Sequence, residues 1–146
     1  VEAARNYMRA NGNLTQWTDG YPSEELLRND ISLGQLFVCV GDDEVIHGIF
    51  AFIIGADPTY GYIENGAWLN DEPYGAIHRI GSDGEAKGIF KAAMDYCQKQ
   101  IKNLRIDTQE DNKTMRYLLE KYGFKQTGVI YIEDGSPRIA FHFAGE

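Results

Sequence analysis

The sequence predicts an α+β fold: a mixed, mostly antiparallel sheet with one parallel strand–helix–strand crossover, flanked by helices in a three-layer arrangement. The 146 residues, 43% of them hydrophobic, are enough to close one core. Hairpin patterns lie on either side of a unit that runs from Tyr74 to Thr108 and has the length that a parallel crossover needs. No linker-like stretch divides the chain, so residues 1–146 are predicted to form a single domain.

The first third of the chain predicts helices and then a hairpin. An amphipathic helix is expected around Ala3–Ala10, and Ser23, which acidic residues follow, is typical of the start of a second helix. Two strands are expected at Gln35–Val40 and Val45–Ile54, with turn residues between them. The aromatic and acidic stretch up to Pro73 lacks a clear period and is predicted to form loops or a short strand.

The predicted crossover occupies the middle of the chain. A strand at Tyr74–Ser82 leads into a glycine-rich turn. Apolar residues from Ile89 to Ile101 then recur with a period of about 3.6 residues, which indicates a helix that packs on the sheet. A short strand at Leu104–Asp107 completes the unit.

The last third predicts a helix and a closing hairpin. Asp111 or Asn112 is a plausible cap for the helix, and Gly123 is its predicted end. The hairpin consists of Phe124–Ile132 and Arg138–Phe143. Alternating apolar residues in the last strand predict that one of its faces is buried.

Charge and hydropathy exclude two classes of partner. Fourteen Lys and Arg against twenty-two Asp and Glu give a formal net charge of −8, which disfavours binding to long nucleic acids and favours cationic partners. No apolar run approaches the roughly 18 residues of a membrane-spanning helix, so no membrane partner is predicted. The chain starts at Val1 without an initiator Met, and residues upstream of it are expected to be missing.

Cysteine and histidine spacing gives no support for a metal site. Cys39 and Cys97 lack the close spacing of zinc and redox motifs, so we interpret both as reduced core thiols. His47, His78 and His142 do not cluster with other ligand types. Reduced thiols favour a cytoplasmic location.

The glycine-rich turn before the central helix is the strongest candidate for a binding site. Glycine lets the backbone approach a ligand, and the free N–H groups at a helix start favour phosphate. The turn is not a P-loop, because Lys87 is followed by Gly88 rather than Ser or Thr. The spacing of Gly81, Gly84 and Gly88 also differs from the dinucleotide fingerprint. A dinucleotide binder with Asp107 as its ribose-binding acid, and a plain structural turn, stay open as alternatives.

Three segments of the second half carry a family resemblance: Tyr74–Phe90, Asp111–Met115 and Leu118–Phe124. With the order of the elements, they make the chain from Gln35 to Phe143 similar to the GNAT superfamily of acetyl-CoA-dependent N-acetyltransferases. The last segment resembles the family's helix-to-strand ending and is the most specific of the three.

The first segment resembles the family's acyl-CoA pyrophosphate loop, written (Gln/Arg)-x-x-Gly-x-(Gly/Ala). Gly88 matches the pattern strictly, whereas Glu85 and Phe90 depart from it. The resemblance implies that N–H groups at a kink in Ile80–Ser82 contact the thioester carbonyl and the pantetheine, and that N–H groups of Glu85–Phe90 receive the pyrophosphate. The implied cofactor-binding residues are Ile80, Gly81, Ser82, Glu85, Ala86, Lys87, Gly88, Ile89, Phe90, Asn112 and Met115.

The resemblance also implies direct transfer of the acetyl group to a primary amine within a ternary complex. A base must deprotonate the ammonium before the nitrogen attacks, and a proton donor favours the departing thiolate. The resemblance assigns Tyr122 as the general acid, although the apolar periodicity of its helix also fits a core aromatic. Glu64, Glu72 and His78 stay open as the base, directly or through water.

The acceptor is predicted only as a class. Aromatic residues with acidic neighbours favour a small amine or a peptide amine, held by cation–π contacts. Sheet edges, and Arg138–Phe143 in particular, are predicted as a surface for a homodimer. A non-catalytic acyl-CoA-binding sensor or interaction module is the alternative to the enzyme. The aromatic candidates are Trp17, Tyr21, Tyr60, Tyr62, Trp68, Tyr74 and Tyr131.

Overall fold

A computed structural model describes residues 23–82 and 88–145 of the chain. Its strands are β1 Leu36–Val40, β2 Ile46–Ile54, β3 Gly75–Ser82, β4 Leu104–Thr108, β5 Lys125–Tyr131 and β6 Pro137–Phe143. Its α-helices are α1 Glu24–Ser32, α2 Ile89–Gln100 and α3 Lys113–Lys121, and a 3-10 helix spans Pro58–Tyr60. The strands form one sheet in the order β1-β2-β3-β4-β6-β5, with one parallel pair. The predicted fold class is confirmed.

Capping residues explain where the helices begin and end. The Ser23 hydroxyl accepts a hydrogen bond from a first-turn N–H at 3.1 Å, and α1 begins at the next residue. The Asn112 carboxamide oxygen accepts a similar bond at 3.2 Å before α3. Gly123, with a φ of +91°, turns the chain out of α3. The strand bounds lie within one residue of the predicted ones, and the helix predicted at Ala3–Ala10 lies outside the described residues.

The described residues form two compact units. Unit 1 holds those within 1–53 and 77–96, and unit 2 holds those within 54–76 and 97–146. The interpretation of residues 1–146 as a single domain stays a prediction. None of the helices in the described part of the chain is long and apolar enough to cross a membrane.

Unit 1 is built on the antiparallel hairpin of β1 and β2. Leu36 pairs with Ala51 at one end of the ladder, and the register shifts between Cys39 and Val40 near the other. An aromatic group packs on this hairpin: the Phe37 ring centre lies 5.4 Å from that of Phe50 and 4.9 Å from that of Tyr96. Other buried residues of unit 1 include Ala51, Phe52, Phe90, Ala93 and Met94.

Unit 2 has β6 as its central strand. β6 pairs antiparallel with β4 on one side and with β5 on the other. Ile139, Ala140, Phe141 and His142 are successive residues of β6, and each is at most 9% exposed. The predicted face of this strand is therefore buried, and the opposite face is buried as well. Alternation of side chains shows which residues share a face, whereas burial depends on what covers each face.

The position of β6 also corrects the predicted dimer surface. Arg138–Phe143 lies within a strand whose two edges are both hydrogen-bonded, so it offers no free edge for a second copy. The outer strands of the sheet are β1 and β5. A homodimer stays a prediction, without this strand as its surface.

His142 is a fully buried polar residue of unit 2. Its Nδ1 accepts a hydrogen bond from the Leu69 N–H at 3.1 Å, so the ring proton lies on Nε2, which donates to Oδ1 of Asn103 at 3.1 Å. Burial, with the positive charge of Arg105 nearby, lowers the pKa of His142 from 6.5 to about 4. The imidazole therefore stays neutral in the folded protein at neutral pH.

We expect this histidine to make folding sensitive to acid. The unfolded chain takes up the proton near pH 6.5 and the folded chain only near pH 4, so the stabilisation is complete above pH 6.5 and is lost as the pH falls toward 4. The loss should reach up to about 3 kcal/mol of unfolding free energy. Urea unfolding at pH 7 and pH 4.5 measures it. His142→Gln removes the titrating group, and an equal pH dependence in this variant and the wild type would contradict the assignment.

Candidate active site

β3 contains a kink at Arg79. This residue has a φ of +51°, a left-handed conformation that is uncommon outside glycine and marks a local break in a strand. Burial along the strand changes at the same place: Ala76 and Ile77 are buried, whereas His78, Arg79 and Ile80 are all half-buried. The left-handed residue directly precedes Ile80–Ser82, the segment for which the family resemblance implies a kink.

α2 begins directly after Gly88, a glycine with a positive φ. Gly88 has a φ of +80°, and a Cβ built on it would meet no described atom within 4 Å. Its carbonyl accepts the hydrogen bond of the Ala92 N–H at 2.9 Å, the first bond of the helix. Such a start leaves first-turn N–H groups for an anion. Glu85, Ala86 and Lys87, predicted to bind the cofactor, lie outside the described residues.

The two residues after Gly88 differ in their exposure. Ile89 is half-buried, whereas the Phe90 side chain is only 8% exposed and belongs to the core of unit 1. For Phe90, a contact with the cofactor would therefore come from the backbone. The phenylalanine that stands here in place of the family's Gly or Ala packs in the core of unit 1.

Gly48 in β2 also lies at this site, although it is not among the predicted site residues. A Cβ at Gly48 would lie 2.5 Å from Cγ2 of Ile89 and 3.2 Å from the Gly81 carbonyl oxygen. Only a residue without a side chain lets β2 come this close to β3 and to the start of α2. The signal was available, because an isolated glycine in a strand pattern indicates close backbone approach.

A groove of about 370 Å³ lies beside the start of α2 in unit 1. Cys39 is half-buried at its wall, and burial raises the pKa of this thiol. The interpretation as a core thiol therefore holds for Cys97, which is 0% exposed, and only in part for Cys39. The groove is lined by Phe37, Val38, Cys39, Val40, Gly41, Phe50, Gly88, Ile89, Ala92 and Tyr96.

Glu64 lies in unit 2 and is held by backbone and side chain. Its N–H and carbonyl each form a 2.8 Å hydrogen bond with Val129. Its carboxylate accepts bonds from the Tyr62 hydroxyl at 2.8 Å and the Tyr131 hydroxyl at 2.9 Å. These bonds lower the pKa of Glu64 and raise the pKa of both phenols. The carboxylate is thus suited to hold a cation and less suited to take a proton.

The residues predicted around α3 lie at its two ends. Asn112 is 7% exposed and its carboxamide oxygen caps the helix, while Met115 is half-buried in the first turn. Tyr122 is the C-cap of α3, and its N–H donates a hydrogen bond to the Leu118 carbonyl at 3.0 Å. Tyr122 is half-buried, whereas Leu119 is fully buried. Tyr122 therefore does not have the burial of a core aromatic.

Some of the aromatic residues predicted to bind a cationic acceptor already contact a cationic side chain of this protein. The Arg105 guanidinium lies 4.2 Å from the centre of the Trp68 ring and 3.9 Å from that of Tyr74. The Tyr60 ring packs against both aromatics and is 2% exposed. These ring faces are not open to an acceptor in this structure. Tyr62 and Tyr131 are exposed, and Trp17 and Tyr21 lie outside the described residues.

Asp107 has a structural partner. Its carboxylate accepts a 2.7 Å hydrogen bond from the hydroxyl of Tyr60, whose burial and acidic neighbours raise its pKa well above the ordinary value. A dinucleotide fold also needs a largely parallel sheet, whereas this sheet has one parallel pair. The dinucleotide alternative is therefore wrong.

Comparison with known proteins adds structural relatives. No family model matches the sequence, and no curated protein matches it. A GNAT-family acetyltransferase from Streptococcus agalactiae is 28% identical, with a TM-score of 0.86 over 99% of this chain and 86% of that one. A putative acetyltransferase from Staphylococcus aureus is 22% identical, with a TM-score of 0.65 over 98% and 91%. A phosphinothricin acetyltransferase from Sinorhizobium meliloti, solved with acetyl-CoA, is 14% identical, with a TM-score of 0.62 over 99% and 83%.

The mixed sheet and these relationships define the chain as an enzyme of the acyltransferase class. It belongs to the GNAT superfamily. The resemblance seen in the second half of the sequence is thereby confirmed at the level of the superfamily.

Proposed function

We propose that the protein transfers the acetyl group of acetyl-CoA directly to a primary amine within a ternary complex. The observation that carries the proposal is the combination of a kinked β3 with a left-handed, open Gly88 at the start of α2. The first can present backbone N–H groups to a carbonyl, and the second can present them to a phosphate. Arg79, at the kink, and Gly88 both belong to unit 1.

The cofactor contacts follow from these two features. Ile80–Ser82, directly after the kink, would bind the thioester carbonyl and the pantetheine through the backbone. The turn before α2 and the first N–H groups of the helix would bind the pyrophosphate, with the helix dipole adding to the attraction. Asn112 and Met115 at the start of α3 are the proposed contacts for the pantetheine arm.

The transfer removes two protons from the nitrogen and supplies one to the sulfur. A base takes the first proton from the ammonium, and the nitrogen attacks the thioester carbon. The carbon–sulfur bond then breaks as the nitrogen loses its second proton to solvent. The thiolate that leaves then accepts a proton, for which we propose the Tyr122 phenol. Its half-buried place at the end of α3 suits a donor that must meet a bound substrate.

We propose different tasks for Glu64 and His78, two of the three candidate bases. The hydrogen bonds from Tyr62 and Tyr131 keep Glu64 ionised, so its carboxylate favours binding of a cationic amine. His78, half-buried in β3 next to the kink, is the stronger candidate for taking the proton, because imidazole is the most common general base in proteins. The proposed acceptor is a small amine or a peptide amine. A cytoplasmic location stays a prediction.

Ligand-dependent unfolding followed by an amine panel tests the function. Acetyl-CoA and CoA should each raise the unfolding temperature, and NAD should not, because only a ligand of the folded state stabilises it. Release of the CoA thiol over a panel of cationic, neutral and anionic amines should then be fastest with cationic ones. Stabilisation without turnover on any amine would favour the acyl-CoA sensor. No stabilisation at millimolar acetyl-CoA would overturn the cofactor assignment.

A further inference from the structure

We propose that Asp30 and Arg79 are positioning residues, whose ion pair holds β3 in the kinked conformation that binds acetyl-CoA. The inference rests on the proposed function, since it concerns the same strand. It adds a role for α1, the helix that carries Asp30, which the sequence analysis assigned to no site. Both residues belong to unit 1.

The contact between the two side chains is bidentate and shielded from solvent. Nε of Arg79 lies 2.7 Å from Oδ2 of Asp30, and Nη2 lies 2.8 Å from Oδ1. Asp30 is 1% exposed and the Arg79 side chain 13%. Oδ1 of Asp30 also accepts a bond from Nε2 of Gln35 at 3.2 Å. Both carboxylate oxygens therefore have charged or polar donors, which fixes the direction of the guanidinium.

Stability alone does not explain this pair. Asp30 lies in the last turn of α1, where the helix dipole disfavours a negative charge. A buried ion pair is in general no more stabilising than apolar residues of the same size. Arg79 adds the cost of a left-handed backbone, at a φ of +51°. Three unfavourable features meet at one contact, which is typical of a site where a local conformation serves function.

The consequence for the site concerns the residues after the kink. A left-handed residue turns the following peptide group away from the regular strand ladder. That peptide group leads into Ile80–Ser82, the proposed contacts of the thioester and pantetheine. Without Asp30, Arg79 loses the bidentate contact that offsets its backbone cost, and it should relax to an extended conformation. The N–H groups of Ile80–Ser82 would then be misdirected.

A pair of double variants tests this inference in the full-length chain. Asp30→Asn/Arg79→Gly and Asp30→Asn/Arg79→Ala both lack the ion pair, and they differ only in whether residue 79 adopts a left-handed φ without cost. We expect the glycine variant to bind CoA in calorimetry within about threefold of the wild type, and the alanine variant about tenfold more weakly. A purely stabilising ion pair predicts no such advantage, because glycine is the more destabilising residue in a strand.

Arg79→Lys provides a second test if the double variants do not fold. Lysine keeps the charge but not the two-point contact, so the KM for acetyl-CoA should rise several-fold. The kcat should fall as well, because the N–H groups after the kink are proposed to bind the thioester carbonyl. Equal CoA affinities of the glycine and alanine variants, or an unchanged KM in Arg79→Lys, would overturn the positioning role and leave the proposed function intact. A wild-type chain that binds no CoA in the same titration would overturn both.

Discussion

Tyr122→Phe is expected to lower the rate of acetyl transfer about 100-fold and to leave the affinity for acetyl-CoA unchanged. The substitution removes one hydroxyl and keeps the ring, so packing at the end of α3 should be preserved. What is lost is the proton donor for the departing thiolate, which matters only in the transition state. Steady-state detection of the CoA thiol measures kcat, and calorimetric titration with acetyl-CoA measures the affinity.

Tyr117→Phe is the matched control for this experiment. Tyr117 lies on the same helix and is 65% exposed, and it has no proposed role in the reaction. The same chemical change there should leave kcat within about twofold of the wild type, as is usual for surface substitutions. An unchanged kcat in Tyr122→Phe would remove the phenol from the mechanism. A weakened affinity for acetyl-CoA would assign Tyr122 to binding instead.

The second large effect is expected at the start of α2. Gly88→Glu should weaken acetyl-CoA binding by about 100-fold, because a carboxylate would stand where the helix N-terminus is proposed to receive the pyrophosphate. The open space around Gly88 means that the new side chain meets no described part of the protein. Its effect should therefore fall on the ligand. Calorimetric titration with CoA measures the change.

Gly88→Gln separates charge from backbone strain in this prediction. Glutamine matches glutamate in size and imposes the same cost at a φ of +80°, but it carries no charge. We expect Gly88→Gln to bind CoA roughly tenfold more tightly than Gly88→Glu. Equal losses in the two variants would show that backbone strain, and not repulsion of a phosphate, accounts for the effect. Normal affinity in a folded Gly88→Glu protein would place the cofactor elsewhere.

Local signals explain why the elements of the fold were predictable. The Ser23 and Asn112 caps act through side-chain oxygens on N–H groups two or three residues away. Gly123 ends α3 because it adopts a left-handed φ. Such contacts involve neighbours in the sequence, so residue types at fixed spacing are enough to indicate them.

Contacts between distant residues explain the errors. Arg138–Phe143 is predicted to offer a sheet edge to a second copy, yet β4 and β5 pair with it on both sides. Trp68 and Tyr74 are predicted to bind the acceptor, yet the guanidinium of the chain's own Arg105 packs against both rings. Neither strand order nor a ring's partner follows from spacing along the chain, because both are set by which segments pack together.

The residues of the site also fall into those that local sequence indicates and those that only tertiary contacts reveal. The sequence by itself indicated the glycine at the start of α2, the tyrosine at the end of α3 and the family, because turn chemistry, helix ends and motif spacing are local properties. Only the tertiary structure revealed Gly48 against Ile89, the two phenols on Glu64, and Asp30 on Arg79. Apart from Tyr62, which lies two residues from Glu64, these contacts join residues far apart along the chain, up to 67 positions for Glu64 and Tyr131. Such pairs gain their meaning from burial and hydrogen-bond geometry, which exist only once the chain has folded.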